Sequence, residues 1–225
     1  MYDINFFKKS SKIKKKITSG LLSKNEADDI SAELDLLRDK TPYIYNIETT
    51  NYCNMKCVMC PRTMFMTRKN IWIDDALFEQ ITDKVRVHDD KSLNNFWSWL
   101  EKDYIYDPKE ISENGFYFSI VSKSLVLHGF GEPFLDKKLI ERLEICKKKK
   151  IPTYFSCTPA TMTVEKAKKA MDAGLGVLKF SLDAMDERKI QKIRGKRANF
   201  EDAVNKILEL IEYKKQKNLK TLLVP

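Results

Sequence analysis

The sequence predicts an α/β protein: a partial (β/α) barrel of parallel strands, preceded by an N-terminal helical segment. Three observations carry this. Short apolar runs alternate four times with amphipathic helical patterns, and a fifth run follows near the end of the 225 residues. The polar, glycine- or cysteine-bearing segments each follow a run and precede a helix, which in parallel barrels is the face where active sites sit. No apolar stretch approaches the ~18 residues needed to span a membrane.

Residues 1–42 read as a helical extension. Phe6, Phe7, Ile13, Ile17, Leu21 and Leu22 lie among lysines, and Ala27, Ile30, Leu34 and Leu37 recur at helical spacing until Thr41-Pro42 breaks the pattern. The lysines Lys8, Lys9, Lys12, Lys14, Lys15 and Lys16 are followed by no continuous apolar stretch or small-residue cleavage site, so no secretory signal is predicted. The barrel takes residues 43–225. Its first run, YIYNIETT (43–50), ends in a cysteine loop, and the helix DDALFEQITDKV follows with Asp74 or Asp75 as its cap.

An insert at about 86–123 interrupts the rhythm with Phe96, Trp97, Trp99, Tyr104, Tyr106, Phe116, Tyr117 and Phe118. It falls between a helix and the next strand, so its ends belong to the face opposite the mouth. Its aromatics are expected to form a satellite core or a partner surface. The second run, SLVLHGF (124–130), leads to Gly131-Glu132-Pro133 and the helix KKLIERLEICKKKK. The third, PTYFSCT (152–158), precedes TVEKAKKAMDAG, with Thr163 as N-cap and Gly174 as the stop. The fourth, GVLKFSLD (176–183), leads to FEDAVNKILELIEYKK, where Val204, Ile207, Leu208 and Ile211 share a face. The fifth is TLLVP. Right-handed crossovers are expected throughout.

Hydrophobic residues make up 43% and charged residues 32%, which suits a soluble globular chain. A net charge of +9 favours acidic partners, either nucleic acid or a small acidic electron carrier, although the lysines are scattered along helices as on a solvated face. Five cysteines, an odd number with three crowded together, suit a reducing cytoplasm and a metal site better than a disulfide framework.

The crowded three are Cys53, Cys57 and Cys60 in NYCNMKCVMC, spaced C-x3-C-x2-C. A structural zinc site wants four ligands. Candidates for the fourth are His88, His128, Cys146 and Cys157. Cys146 shares an apolar helical stripe with Leu139 and Leu143, which favours an inert buried thiol; His128 beside a glycine turn suits a hydrogen-bonded structural histidine. Three thiolates also suit a four-iron cubane with one iron left open.

This cysteine motif has companions in order: Gly131, Glu132 and Pro133 after the second run, then Ser181, Leu182 and Asp183, and Ile193, Arg194 and Gly195 after the fourth. Together they resemble the radical S-adenosylmethionine (radical SAM) enzymes, from about residue 43 onward. The resemblance implies a [4Fe-4S] cluster on Cys53, Cys57 and Cys60, with S-adenosylmethionine chelated at the fourth iron. One electron would cleave the sulfonium to methionine and a 5'-deoxyadenosyl radical, which abstracts hydrogen from a substrate. It implies that Glu132, presented by Gly131, takes a hydrogen bond from the methionyl ammonium, and that Arg194 pairs with the methionyl carboxylate. Ser181 would contact the ribose or carboxylate, and Met59 the adenine. An acidic flavodoxin or ferredoxin would supply the electron.

The sequence departs from the family in places. Phe130 replaces the commoner first glycine of Gly-Gly-Glu-Pro, and Pro159 stands at a usual asparagine. A family core has about six strands, so a further segment or partner chain is expected to complete this barrel. The style of the sequence points to a peptide, sugar or polysaccharide-precursor substrate. Alternatives are RNA modification, a zinc-stabilised binding module, and a barrel fragment that binds the cofactors without turnover.

Overall fold

The computed structural model describes residues 3–20, 24–103 and 113–225. In chain order the helices are α1 (Ile4–Thr18), α2 (Lys24–Leu37), α3 (Pro61–Phe65), α4 (Asp75–Asp83) and α5 (Asp90–Asp103). They continue with α6 (Glu113–Lys123), α7 (Leu139–Lys148), α8 (Val164–Asp172), α9 (Glu187–Arg194) and α10 (Phe200–Lys217). The strands are β1 (Leu125–Val126), β2 (Thr153–Cys157), β3 (Val177–Phe180) and β4 (Leu222–Val224), with 3-10 turns at Pro133–Leu135 and Pro159–Thr161. Two compact units result: Met1–Tyr45 with Arg86–Lys123, and Asn46–Val85 with Ser124–Pro225.

In the larger unit all strand pairs are parallel, in the order β1-β2-β3-β4. A doubly wound sheet reverses its order at a switch point. This one advances in a single direction, so right-handed crossovers place every connecting helix on one face, as in the wall of a barrel. The pattern of the strands agrees. β2 alternates buried and half-buried residues, and so does β3. Phe155, Leu178 and Phe180 lie on the closed face at 0–1% exposure. Burying a side chain of this size contributes about 1.5–3 kcal/mol.

The first run departs from expectation. Residues 43–50 form no strand; they make an isolated parallel bridge between Asn46 and Val126, with Ile47 N donating to Val126 O at 2.8 Å. Side chains take over beyond it. Asn46 Nδ2 donates to His128 O at 2.7 Å, and Glu48 Oε1 accepts from Phe130 N at 2.6 Å. Those bonds replace a backbone ladder, and β1 itself is correspondingly short.

The helices follow their local chemistry. Asp74, Thr163, Asp186 and Asn199 cap α4, α8, α9 and α10 by accepting from backbone N–H groups. Gly174 follows α8 at φ +97°, and Asn218 ends α10 at φ +50°, a left-handed conformation that asparagine tolerates. The buried stripe of α10 is Ala203, Ile207 and Leu210, whereas Leu208 is 56% exposed. The helix is rotated from its most apolar face because it packs on α8 and on the Pro159–Thr161 turn.

One ion pair lies inside this unit. Arg142, on α7, donates to Asp136 Oδ2 at 2.6 Å, with side-chain exposures of 3% and 0%. The same guanidinium donates to Thr49 O (3.1 Å) and Ile73 O (2.7 Å), and it lies 5.5 Å from the Phe78 ring centroid.

The smaller unit joins the N-terminal helix and the insert around a shared core. Ile4, Phe96 and Leu100 are buried, with Phe7, Trp97, Trp99 and Phe118 packed against them. Phe7 meets Phe96, Trp99 and Phe118 edge to face at 5.3–6.0 Å, a favoured aromatic geometry. Leu21, Leu22, Tyr104 and Tyr106 lie outside the described residues.

Removing the counter-charge of a buried ion is costly, because the remaining charge stays desolvated. Asp136→Asn leaves Arg142 only the half-exposed Asp75 carboxylate at 3.4 Å as counter-charge, and is therefore expected to lower stability by about 3 kcal/mol in urea denaturation. A loss below about 1 kcal/mol, the value of a surface pair, would contradict this account.

Candidate active site

The cysteine loop is closed at its base by side chains. Asn51 is 1% exposed; its Nδ2 donates to Lys69 O (2.9 Å) and its Oδ1 accepts from Ile71 N (2.8 Å). Arg62, on α3, reaches back to Asn51 O at 2.9 Å. Pro61 opens α3 directly after Cys60, a position where its missing N–H costs nothing. Inside the loop, Cys60 N donates to Cys57 O at 3.1 Å, and Val58 N donates to Ile193 O at 2.9 Å, tying the loop to α9.

Met55, Cys57, Ile190 and Ala198 form a buried cluster, and Cys53 and Cys60 pack against it. The Cys57 sulfur lies 3.7 Å from Arg194 Nη1, and its thiol donates to Arg194 O at 3.8 Å. Cys53 Sγ accepts from Met55 N at 3.5 Å, and burial pushes its thiol above the ordinary value. Among the described residues no three His, Cys, Asp or Glu side chains converge closely enough to hold an ion as they stand. The donor set nevertheless fits an iron–sulfur cluster by its chemistry: three soft thiols, on one loop, packed on one cluster. Binding would have to displace their protons.

The loop after β1 approaches this one closely. A Cβ on Gly131 would meet Thr50 O at 1.8 Å, so only glycine fits. Glu132 N donates to Tyr52 O at 2.8 Å. The Glu132 side chain, 4% exposed, accepts from Thr158 N at 3.0 Å and from Phe134 N at 3.4 Å. It thus caps the 3-10 turn and links the loops after β1 and β2. Burial pushes its carboxyl up to about 7, against the hydrogen bonds from Thr158, Phe134 and Thr161. Glu132 also senses the charge of Arg194, and Cys53 senses that of Glu132.

Arg194 is held in a two-toothed pair with Asp183: its Nη2 donates to Oδ1 at 2.9 Å and its Nε to Oδ2. Nη1, which faces Cys57, takes no part in that pair. Asn54, Met55, Lys56 and Arg194 line a cleft of about 500 Å³ with Gly195, Lys196 and Arg197. Asn54 Oδ1 is buried without a hydrogen-bond partner. Ser181 shares a 3.0 Å hydroxyl–hydroxyl bond with Ser156, and its N donates to Cys157 O at 2.8 Å.

The structure therefore gathers Cys53, Cys57, Cys60, Glu132 and Arg194, with Gly131 at the contact of two loops and Ser181 one strand away. Met59 is 53% exposed and lies outside the buried cluster. Cys146 and Cys157 are closed in the core, where burial pushes Cys146 up to about 12 and Cys157 well above its ordinary value. His128 Nδ1 accepts from Ser156 N at 3.3 Å, and burial, with Lys179 nearby, holds its pKa down to about 4. His88 stacks on Tyr43 in the smaller unit.

Sequence reasoning missed Asn51, Arg62 and the partnership of Asp183 with Arg194. Asp183 stood in the quoted Ser-Leu-Asp, eleven residues before Arg194, but the pairing spans a loop and a helix and has no periodic signature.

Comparison with known proteins adds the following. Residues 47–225 match the family model described as the radical SAM superfamily. No curated protein matches the chain significantly. BtrN in complex with AdoMet and 2-DOIA is similar at a TM-score of 0.49 and 13% identity, covering 83% of this chain and 58% of that one. Methylornithine synthase (PylB) is similar at 0.48 and 16%, covering 80% and 42%. TYW1 with a lysine-pyruvate adduct bound is similar at 0.42 and 20%, covering 72% and 49%. The chain thus spans about half the length of these solved structures.

The half-buried His128 yields a pH test. Its native pKa of about 4 lies below the ordinary 6.5, so the native state binds fewer protons than the unfolded chain. Its contribution to stability is present above pH 6.5 and is lost as pH falls through about 4. His128→Gln should lose less stability than wild type between pH 7 and about 4. Histidine NMR should give a titration midpoint near 4 for His128; a midpoint near 6.5 would show an ordinary, solvated ring.

Proposed function

The chain belongs to the radical SAM superfamily, and from that premise we propose that Cys53, Cys57 and Cys60 hold a [4Fe-4S] cluster to which S-adenosylmethionine binds. Superfamily members generally bind both groups and require a reductant. The observation that supports these residue roles is the meeting of Cys57 with Arg194 at 3.7 Å, beside the buried Glu132. Bound there, the two groups supply one-electron cleavage of the sulfonium and hence hydrogen abstraction from a substrate.

The protein's own part is binding, orientation and exclusion of water. Glu132 accepts from the methionyl ammonium. Its carboxyl, raised to about 7 by burial, is favoured in the charged form by an arriving cation. Arg194 takes the methionyl carboxylate through the Nη1 side, while Asp183 holds the guanidinium plane from the other. Gly131 lets Glu132 stand this close to the cysteine loop. Ser181 offers a hydroxyl to the ribose or carboxylate, and Met59 an apolar contact near the adenine.

The substrate is a peptide, a sugar or a polysaccharide precursor, as the style of the sequence suggests. An acidic flavodoxin or ferredoxin, steered by the +9 charge, supplies the electron. The cytoplasm, where free thiols persist, is the compartment. Among the described residues no helix is long and apolar enough to cross a membrane.

Anaerobic reconstitution, reduction with dithionite and mass spectrometry for 5'-deoxyadenosine test this reading. Cys57→Ala should lose both iron and product, whereas Cys146→Ala should keep its iron; equal loss in both would contradict the ligand assignment. Arg194→Ala should retain its iron but bind S-adenosylmethionine about tenfold more weakly or worse, the value of a charge-assisted hydrogen bond. Unchanged affinity would remove Arg194 from the carboxylate.

A further inference from the structure

The sheet's second face differs from what a parallel sheet usually carries. Such strands are normally apolar on both sides, because both are covered. Here the registers pair Tyr154 with Val177 and Ser156 with Lys179, and continue Val177 to Leu222 and Lys179 to Val224. Partners in register point to the same side. Tyr154, Ser156, Val177, Lys179 and Ser181 therefore share the face opposite Phe155, Leu178 and Phe180, and all five keep partial solvent access. The 3.0 Å bond between Ser156 and Ser181 hydroxyls places these two on one side independently.

His128 joins this face. It follows β1 by two residues, and its ring stands edge-on to Tyr154 at 5.3 Å. Because Nδ1 accepts from Ser156 N, the neutral ring carries its proton on Nε2, which becomes a donor. Lys179 is close enough for its charge to act on that ring. At the usual strand spacing, the row His128–Ser156–Lys179 spans about 10 Å. The carboxylate next along this row, Glu48, is already engaged by Phe130 N at 2.6 Å and by Arg68 at 3.3 Å. An imidazole N–H, an ammonium and a hydroxyl pair thus lie in one row, flanked by Tyr154 and Val177.

The geometry points to an anion site: the solvent-accessible face of the sheet takes a carboxylate or phosphate group of the substrate between Lys179, His128 Nε2–H and the Ser156 hydroxyl, which Ser181 orients. This deepens the enzyme reading by naming one chemical group of its substrate, and it rests on that reading only for the word substrate. Lys179 supplies the charge. His128 stays neutral and directs a single hydrogen bond, and Ser156 adds one hydroxyl donor. Each charge-assisted bond of this type changes affinity about tenfold or more. The Lys179 charge disfavours an ammonium at that end.

The two histidines of the chain make the test direct, since each gives its own NMR signal. Histidine-labelled full chain, as purified, is titrated at pH 7 with inorganic phosphate and, separately, with acetate. We expect a saturable shift of the His128 ring signal and none of His88. Tighter phosphate assigns a phosphoryl group and tighter acetate a carboxyl group. Lys179→Met should weaken the anion about tenfold or more, and Lys179→Arg should restore most of it. Absence of any His128 shift with both anions, or parallel shifts of both histidines, overturns the site. So does a folded Lys179→Met that titrates like wild type. Binding of these anions needs neither cluster nor S-adenosylmethionine. A negative result would leave the 5'-deoxyadenosine outcome intact, and a failed cleavage assay would leave this site standing.

Discussion

The larger unit is organised around one buried cation. Arg142 sits at 3% side-chain exposure and holds Asp136, Thr49 O and Ile73 O at once. Those three partners belong to the loop after β1, the segment entering the cysteine loop, and the approach to α4. A fork of rigid donors suits such a junction, because each N–H has a fixed direction. Replacing the group by a hydrocarbon would fill the space but specify none of the three positions. The pair's net contribution to stability is small relative to its desolvation, so its consequence is geometric. It sets where the chain stands when it enters the site.

The same core that confines Arg142 also acts on the titrating groups. Glu132 and His128 lie on one loop, after β1, and burial moves them in opposite directions, the acid up to about 7 and the base down to about 4. Both are thereby biased to the neutral form. A cationic ligand group would return Glu132 to its charged form, whereas His128 would stay neutral through most of the physiological range. One group answers to what binds, and the other does not.

Much of the fold could be read from periodicity. β2, β3 and β4 fall inside the expected runs, and α7, α8 and α10 lie where apolar residues recur at helical spacing, because these elements answer to local pattern and to burial on one face. The first run failed as a strand for a reason no periodicity reveals: Asn46 and Glu48 spend side-chain bonds where a ladder would run. Nothing in IERLEIC marks Arg142 as buried, and Leu208 shares a helical face with Val204, Ile207 and Ile211. Both were decided by tertiary packing. Likewise, Phe7 and Phe118 share a core across more than a hundred residues of sequence. In the site, the cysteines, Gly131, Glu132 and Arg194 were visible by type and order. Asn51, Arg62 and Asp183, which position them, were not, because their partners are backbone groups or side chains brought near by folding.

The contact between Gly131 and the Thr50 carbonyl has a mechanical consequence. With no room for even one carbon between them, and with Glu132 N bonded to Tyr52 O, the two loops can neither slide past nor close further on each other. Packed this closely, the sulfur-bearing and carboxylate-bearing segments are held to one spacing. A wall of short strands can then flex without altering the approach of these two loops.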